Sequence, residues 1–497
     1  MSVDFTEVPS TYAVPGSYTE VVTQNSGANV QAMPLRALLI GVWSAAGQGE
    51  ALRVYPNITG SEASRLAGSG SAAAQMVATF TADAPYTAAD MILVATTQDA
   101  TATEWSIKPT GTAMARGTLA IEVCGRRIAA SIKKGAGAAD LSAALFDAWQ
   151  AGDFTGRCGV TARLDKSASS LVLTSVDRGA WTRDIDVRVG QQYGDGVTGV
   201  LMTITQTAQG TGMPDIAPAL NVVAETWYTD MAWIAAGEST LAALTEEAAR
   251  RCNAMIKLDT HIYISMRATY GEALALAGQL NSEHLTILPA QKARFAPWEA
   301  AASLCAVAAT SLNADPARQL HTLALTSLAG RAPDDADRYS DAMRNILLQS
   351  GMSSFNVAQD GAVQLERVVT TRQRDGSGNL TSGWRDIMVP KTATRVRYAW
   401  NSYVTSTYPR AKLADDGSPV VNLGGNNVVT PKTLKLSWIG QSAIYEGQMG
   451  WLDNSATLSA QATFERDRTD RNRVNARLPV QIMGSLMVIA NSLQLQV

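Results

Sequence analysis

The stretch PWEAAASLCAVAATSLNADPARQLHTLALTSLAG (residues 297–330), continued by RYSDAMRNILLQSGMSSFNVAQDGAVQLERVVTT (338–371), decides the fold of this chain. Within it, Trp298–Leu312 is rich in Ala and nearly free of charge. A helix that is apolar on most of its faces belongs inside a domain rather than on its surface. The pattern therefore predicts a helix over Trp298–Leu312 that is buried in a core built by the rest of the chain.

The second part of this stretch predicts a shorter helix and a hairpin. Asp341–Gln349 places its apolar residues on one stripe, and Gly351 stands where helices commonly end. Ser354–Ala358 then alternates into a turn at Asp360-Gly361, and Ala362–Thr371 returns as the second strand.

Upstream of the buried helix, strand and helix patterns alternate. The predicted strands are Arg36–Val42, Met91–Thr96, Met231–Ala235, His261–Met266 and Leu285–Pro289. The predicted helices are two that begin at Ser61 and Ser71 as caps, followed by Thr240–Met255 and Gly271–Leu280. This alternation favours an α/β fold with a doubly wound main domain. Such sheets bind ligands at the carboxyl ends of their strands, but these ends include no repeated acid, His or glycine-rich loop.

Residues 106–200 predict an inserted α+β domain. Thr118–Val123 and Ile128–Ile132 alternate around Gly125 as in a hairpin, and Asp140–Gln150 is an amphipathic helix pattern. Further short strands are predicted at Thr161–Leu164, Ser170–Ser175 and Asp184–Val189. Residues 375–430, in contrast, read as loop-rich.

Both ends of the chain are expected to be extended arms. Tyr18–Thr23 is an extended segment without a partner strand nearby, so it either frays or pairs with something distant or with another chain. In the terminal SLMVIANSLQLQV (485–497), apolar and polar residues alternate. A strand of this kind is prone to aggregate as a free edge. It therefore pairs within its own domain or adds to another subunit.

These patterns predict the following organisation of the chain. An N-terminal extended arm (1–30) precedes a main domain in two segments (31–105 and 201–480), which enclose the inserted domain (106–200), and a C-terminal strand arm (481–497) ends the chain.

Composition and charge exclude several classes of function. The chain has 497 residues, of which 41 are basic and 44 acidic, and a net charge of −3. We therefore expect no direct contact with nucleic acid and no attraction to an anionic membrane. No apolar run approaches the ~20 residues of a membrane span. The N-terminal MSVDFTEVPS lacks the features of a secretion signal.

Residues suited to catalysis or metal binding are sparse. The chain has three histidines and four cysteines: His261, His284, His321, Cys124, Cys158, Cys252 and Cys305. No pair among them has the spacing of a metal site, and the cysteines are interpreted as buried free thiols, with metal or disulfide use as the alternative. We predict no catalytic residue, no cofactor and no metal.

The densest charge cluster is ERDRTDRNR (465–473). Read as a helix, it places mixed charges all round, as a solvated surface does. The alternative is a contact in which several Arg meet carboxylates of a partner. Binding to RNA is less favoured because the interleaved acids cancel the positive field and no aromatic residues alternate with the basic ones.

The order of elements resembles that of the sheath proteins of contractile phage tails, especially those of Mu-like phages. The residues that carry this resemblance are the Ala-rich helix, Asp315-Pro316-Ala317-Arg318, a helix ending in LLQSGM, the Asp360-Gly361 hairpin running into RVVTT, and an N-terminal arm with Pro15, Gly16, Tyr18 and Glu20. The likeness extends over most of the chain and is weakest over residues 106–200.

The resemblance implies a structural subunit and not an enzyme. Such a subunit polymerises helically around a tail tube and contracts to drive the tube through the host envelope during genome delivery. The implied partners are further copies of itself, the tail tube protein, and the baseplate and tail terminator proteins, in a virion assembled in the host cytoplasm. The alternatives are the sheath of a phage-derived bacteriocin or secretion device and, from another class, a nucleotide-dependent α/β enzyme.

Two sets of contact residues follow as hypotheses. The expected tube contact consists of Arg466, Arg468, Arg471 and Arg473. The residues expected to add as strands to a neighbouring subunit are Tyr18, Glu20, Val22, Leu486, Val488, Leu493, Leu495 and Val497.

Overall fold

The computed structural model describes residues 30–419 and 427–495. The described strands are β1 (Ala37–Val42), β2 (Val54–Tyr55), β3 (Ala89–Val94), β4 (Glu104–Gly111), β5 (Gly117–Val123), β6 (Arg126–Ile132), β7 (Val160–Asp165), β8 (Ser170–Ser175), β9 (Val187–Val189), β10 (Val200–Ala208), β11 (Asp230–Trp233), β12 (His261–Met266), β13 (Leu285–Pro289), β14 (Ser354–Val357), β15 (Val363–Arg367), β16 (Lys412–Leu413), β17 (Val428–Val429), β18 (Leu452–Asp453), β19 (Thr463–Arg466), β20 (Val474–Arg477) and β21 (Gln481–Ile482). The described α-helices are α1 (Gly60–Ala67), α2 (Ala72–Asp83), α3 (Ala138–Gln150), α4 (Phe154–Cys158), α5 (Ala217–Val222), α6 (Glu238–Arg251), α7 (Tyr270–Ala277), α8 (Pro297–Ala314), α9 (Asp341–Gln349), α10 (Met388–Thr407), α11 (Pro431–Gly447) and α12 (Ser455–Ala460).

The largest sheet has six strands in the order β13-β12-β11-β1-β3-β2. Neighbours from β13 to β3 run parallel, and β2 pairs antiparallel with β3 at the edge. In the centre, Leu39 lies opposite Met91 on one side and Ala232 on the other. Its parallel strands consist almost entirely of buried residues, as strands covered on both faces do. The predicted mixed α/β fold is confirmed.

The Ala-rich helix α8 is buried as predicted and packs against α2, β11 and β12. Small residues allow this close packing in the core. A Cβ atom placed on Gly41 of β1 would lie 2.3 Å from the Cβ of Ala73 on α2, so only Gly fits there. On the other side of α2, Trp298 donates from Nε1 to Gln75 Oε1 at 2.8 Å.

Residues 104–208, which include the predicted insertion, form two sheets, one in the order β10-β4-β8-β7 and one in the order β6-β5-β9. The hairpin around Gly125 is present, and Cys124 and Gly125 both adopt positive φ in its two-residue turn. The long strands β4 and β10 were not predicted. They pair with each other, and the bridge between Thr101 and Thr211 continues this pairing outward, so the paired region extends past 106–200 at both ends.

Three sequence-based expectations are wrong in detail. Thr59, not Ser61, caps α1, because its side chain accepts from Glu62 N while the Glu62 side chain completes a capping box. The region expected to be loop-rich contains α10, which has 20 residues. The charge cluster 465–473 lies on a hairpin and not on a helix.

The chain divides into two compact units. Of the described residues, one unit comprises 33–398, 450–453 and 480–495, and the other comprises 30–32, 399–419, 427–449 and 454–479. The second unit is built around an aromatic cluster, in which the Trp438 ring lies edge-on to Trp400 with centroids 5.1 Å apart. Tyr445 and Phe464 pack onto the same pair.

Candidate subunit-contact surfaces

The carboxyl edge of the parallel sheet is occupied by ion pairs. Arg267, directly after β12, binds Asp186, and Asp186 also accepts from Arg188 at 2.7 Å. Arg188 in turn lies 3.1 Å from Asp334. Guanidinium groups thus engage these carboxylates where an α/β enzyme would hold its ligand. Within residues 30–419 and 427–495, no three His, Cys, Asp or Glu are grouped as a metal site requires.

Of the histidines and cysteines that the sequence analysis names, His261, Cys124, Cys158 and Cys305 are buried, whereas Cys252 and His284 are half-buried and His321 is exposed. His261 Nε2 lies 2.9 Å from Thr286 Oγ1, and burial, with the nearby Lys391, lowers the pKa of the ring well below its ordinary value. All four cysteines are free thiols, as expected. Burial raises the pKa of Cys158 to about 12 and also raises that of Cys124. Such thiols are protonated at neutral pH and do not act as nucleophiles.

The four arginines of the expected tube contact all lie on one hairpin, formed by β19 and β20. Thr463 pairs with Arg477 at its base, and Arg466 pairs with Val474 next to its tip. Asp467 organises the tip: one of its oxygens accepts from Thr469 N at 2.8 Å, from Thr469 Oγ1 at 2.7 Å and from Asp470 N at 3.0 Å. These hydrogen bonds hold the pKa of the Asp467 carboxyl well below its usual range. Local side chain to backbone bonding of this kind favours a turn over a helix.

Three of the four arginines are exposed. Arg466 is half-buried: it donates from Nη1 to Asp415 Oδ1 at 3.0 Å and from Nε to Arg471 O at 2.9 Å. Arg473 donates from Nε to Asn475 Oδ1 at 2.8 Å and lies 4.0 Å from Asp467 Oδ2, and its side chain is exposed, as are those of Arg468 and Arg471. The hairpin also bears Arg477 and the acids Glu465, Asp467 and Asp470, so positive charge prevails. A surface of this kind attracts carboxylates on a partner.

The same hairpin offers edges for further strands. Within the described ranges, β19 and β20 form a sheet of two strands with no third partner. One of its side chains, Phe464, packs edge-on against Trp400 at 6.4 Å, which fixes the ribbon on the aromatic cluster. A two-stranded ribbon is marginally stable by itself, and added strands stabilise it. In the sequence, the only signal for this ribbon is the alternation of polar and apolar residues in TFER (463–466) and VNAR (474–477), on either side of a polar tip.

The C-terminal segment is anchored at its start and exposed beyond. β21 pairs with β18, Ser485 Oγ donates to Ala317 O at 3.2 Å, and Gln319 Nε2 donates to Leu486 O at 2.8 Å. From there to residue 495 the described chain forms no strand, so the expected terminal strand is not paired within its own described body.

The apolar residues expected to add to a neighbour are strongly exposed. The side chains in question are Leu486, Val488, Leu493 and Leu495, with exposures of 68%, 79%, 86% and 80%. Exposed apolar patches are common at interaction sites. The remaining expected strand residues, Tyr18, Glu20, Val22 and Val497, lie outside the described residues.

Comparison with known proteins identifies similar chains. The model of the phage tail sheath protein central domain matches residues 209–371. Over 498 residues the chain is 26% identical to the Mu-like prophage FluMu tail sheath protein of Haemophilus influenzae, covering 99% of each protein. Among solved structures it is similar to the sheath tail protein of Desulfitobacterium hafniense, with 12% identity, a TM-score of 0.48, and coverage of 95% of this chain and 97% of that one. The sheath tail protein Lin1278 of Listeria innocua gives 12% identity, a TM-score of 0.47, and coverage of 90% and 92%.

The predicted resemblance to phage tail sheath proteins, Mu-like ones included, is confirmed by the family model and the chain-long relative. The proteins that it matches are structural components of phage tails and not enzymes. In the described ranges, no helix combines the length and hydropathy of a membrane span.

Proposed function

We propose that this protein, a phage tail sheath protein by these matches, is the subunit that polymerises helically around the tail tube. Its contraction drives the tube through the host envelope during genome delivery. The observation that carries the proposal is the match to a tail sheath protein over 99% of the chain. Its place is the virion, after assembly in the host cytoplasm, and its partners are further copies of itself, the tube protein, and the baseplate and terminator proteins. Genomic neighbours would distinguish a virion from a phage-derived bacteriocin or secretion device.

Helical growth follows from exchange of strands between subunits. The exposed apolar segment from Val488 to Leu495 is a donor, and the β19–β20 ribbon, with two unpaired edges in the described chain, is the acceptor on the next subunit. The N-terminal arm around Tyr18 supplies a second donor. Strand addition of this kind uses backbone hydrogen bonds for affinity and apolar side chains for register. Because donor and acceptor are different surfaces, the contact is heterologous and repeats without closing, which produces an open helix.

The arginines at the hairpin tip supply part of the contact with the tube. Arg468, Arg471 and Arg473 are exposed and flank a turn that Asp467 holds in shape. The planar guanidinium group is pre-organised for two parallel hydrogen bonds to a carboxylate, so less side-chain entropy is lost per hydrogen bond than with Lys. We therefore expect an acidic patch on the tube surface opposite this tip.

Contraction is a transition between two packings of the same subunits. Backbone pairing keeps neighbours linked while the globular bodies rotate and slide, and the extended packing is metastable. No nucleotide is consumed in this scheme, which agrees with the ion-paired carboxyl edge of the sheet.

The main domain is proposed to be doubly wound, with the inserted domain directed outward. The order of the five parallel strands supports this. Numbered one to five along the chain, they stand in the order 2-1-3-4-5, so the direction in which strands are added to the sheet reverses next to β1. The proposed boundaries are the arm 1–30, the main domain 31–105 and 201–480, the insertion 106–200 and the arm 481–497.

Negative-stain electron microscopy of the purified chain tests the function. We expect rings or hollow cylinders of uniform width as protein concentration rises across a series of salt concentrations. If the chain remains dispersed, the neighbouring tube protein is added. Absence of sheathed tubes in that mixture overturns the proposal.

A further inference from the structure

A cavity of about 310 Å³ lies between residues of the predicted insertion and the core helices. Its wall is formed by α1, α2, α4, the start of α8 and the first residue of β6. The charged side chains that line it are Arg126, Arg157, Arg331 and Glu299. The proposed sheath function uses none of them.

The one carboxylate at this cavity is saturated by hydrogen bonds. Arg331 Nη1 donates to both oxygens of Glu299, at 2.9 Å and 2.7 Å, and Arg126 Nη2 approaches Oε1 at 3.3 Å. Ala296 N donates to Oε2 at 3.1 Å. Glu299 therefore has little capacity left, although three guanidinium groups line the cavity. The site therefore has excess positive charge, with Arg331 buried, Arg126 half-buried and Arg157 exposed, and a bound anion would balance it.

One nitrogen of this cluster has no partner. Arg126 Nη1 is buried and makes no hydrogen bond to any described residue. Arg126 as a whole is held in place, since its Nη2 binds Glu299 and the hairpin turn before it packs on Arg331. A buried N–H group without an acceptor is unfavourable, and an oxygen of a ligand or of water can supply the missing acceptor.

We propose that this cavity binds a small oxyanion, with inorganic phosphate as the representative ligand. A small shift of the Arg126 side chain, which lines the cavity, lets Nη1 donate to one oxygen of the anion, and the exposed Arg157 balances the remaining charge at the cavity entrance. Ser64 on the wall adds a hydroxyl donor. Planar guanidinium groups suit oxyanions because their N–H donors match the oxygen spacing. This inference does not depend on the sheath function.

A bound anion would tie the inserted region to the core. Gly125 in the β5–β6 turn sits against Arg331, where a Cβ atom would lie 2.7 Å from Arg331 Cγ. The anion adds a second link from Arg126, in the same hairpin, to the cluster that includes Glu299 on α8. We therefore expect phosphate to slow backbone hydrogen exchange in residues 117–132.

Isothermal titration calorimetry of the full chain with phosphate at constant ionic strength tests the site. We expect saturable binding, weakened at least about tenfold by Arg126→Gln and by Arg157→Gln, since each removes a charge-assisted hydrogen bond. Arg163→Gln on β7 is the matched control, because it removes an exposed Arg of the same region that does not line the cavity. Acetate as titrant distinguishes a preference for phosphate from one for carboxylates.

Three results would overturn the proposal. If the heat of phosphate titration does not saturate, the cavity holds no phosphate site, and water supplies the acceptor for Arg126 Nη1. Equal weakening by Arg163→Gln means that phosphate acts through general charge. If Arg126→Gln unfolds the chain, phosphate binding is measured with Arg157→Gln instead, since Arg157 is exposed. Unchanged phosphate affinity in that variant excludes the site.

Discussion

At the residue scale, buried charges are tolerated only where partners surround them. Glu299 is 1% exposed, three positions into α8, and holds two guanidinium groups and a backbone N–H. Although burial alone would raise the pKa of Glu299, Arg331 and Arg126 more than offset it, and the pKa lies below its ordinary value. Its charged form therefore stabilises the fold above the pKa of the unfolded chain, and this contribution is lost as pH falls through the folded value.

Glu299→Gln is expected to lower the free energy of unfolding by about 3–5 kcal/mol at neutral pH, because Arg331 is then left buried without its counter-charge. Urea unfolding followed by tryptophan fluorescence measures this change. Glu246→Gln, on an exposed position of α6, serves as the control and should leave the transition unchanged. Equal stability of the two variants would contradict the assigned role of Glu299.

Asp177 gives the opposite pH dependence. Burial raises its pKa to about 7, and the N–H of Ala72, which donates to Oδ2 at 2.6 Å, offsets only part of this effect. The folded state therefore binds a proton more tightly than the unfolded state, so the contribution of Asp177 to stability is present at low pH and lost as pH rises toward about 7.

Asp177→Asn should remove this dependence, because the amide stays neutral and its oxygen can still accept from Ala72 N. We expect the free energy of unfolding of the variant, relative to that of wild type, to rise by on the order of 1–4 kcal/mol from about pH 5 to about pH 8. Thermal unfolding across this pH range measures the difference. A difference between the two proteins that is constant with pH would show that Asp177 does not titrate there.

At the scale of single elements, the β19–β20 hairpin combines two properties. Its base is fixed by Phe464 on the aromatic cluster, and its tip is shaped by Asp467. Charge changes at the exposed arginines therefore leave the hairpin intact. The interaction with the tube can be tested separately from folding and from contacts between sheath subunits.

Reversal of Arg468, Arg471 and Arg473 to Glu is expected to abolish assembly on tubes while polymerisation of the sheath chain alone persists, because like charges then face the tube. Co-sedimentation with tubes and electron microscopy of the chain alone measure the two properties. The matched control reverses Arg65, Arg116 and Arg163, which are exposed elsewhere. Tube binding that survives the hairpin reversal would refute the contact.

At the scale of the whole molecule, the proposed polymer depends on the C-terminal segment. Ser485 and Leu486 bind the body through Ala317 and Gln319, so the segment leaves it just beyond. Removing residues 488–497 therefore spares these anchors and deletes only the exposed part. In the intact chain that part is expected to pair with the next subunit.

The chain lacking 488–497 should remain soluble and monomeric at concentrations where the full chain forms sheaths, because the donor strand is gone. Light scattering and electron microscopy record assembly. Leu493→Ser with Leu495→Ser should weaken it in the full chain, whereas Asn491→Ser with Gln494→Ser should not, since these residues contribute no apolar side chain. Long sheaths from the truncated chain would exclude strand exchange through this segment.

Local patterns in the sequence were sufficient for several parts of the fold. The Ala-rich composition of α8, the apolar run of β1 and the bounds of β12 and β13 are properties of neighbouring residues, and each is confirmed. Periodicity and composition report burial directly when an element is buried on nearly all sides. The order of such elements also sufficed for the resemblance to phage tail sheath proteins.

Other features depend on contacts between distant residues, and only the tertiary structure decided them. α10 is rich in β-branched residues and has Pro390 near its start, so propensity disfavours a helix, but burial of residues such as Met388 and Val396 overrides it. β4 pairs with β10 across about ninety residues. Arg126 and Glu299 likewise meet from positions 173 residues apart. A sequence shows which residues prefer to be buried, but only the folded chain determines which charges and strands meet there.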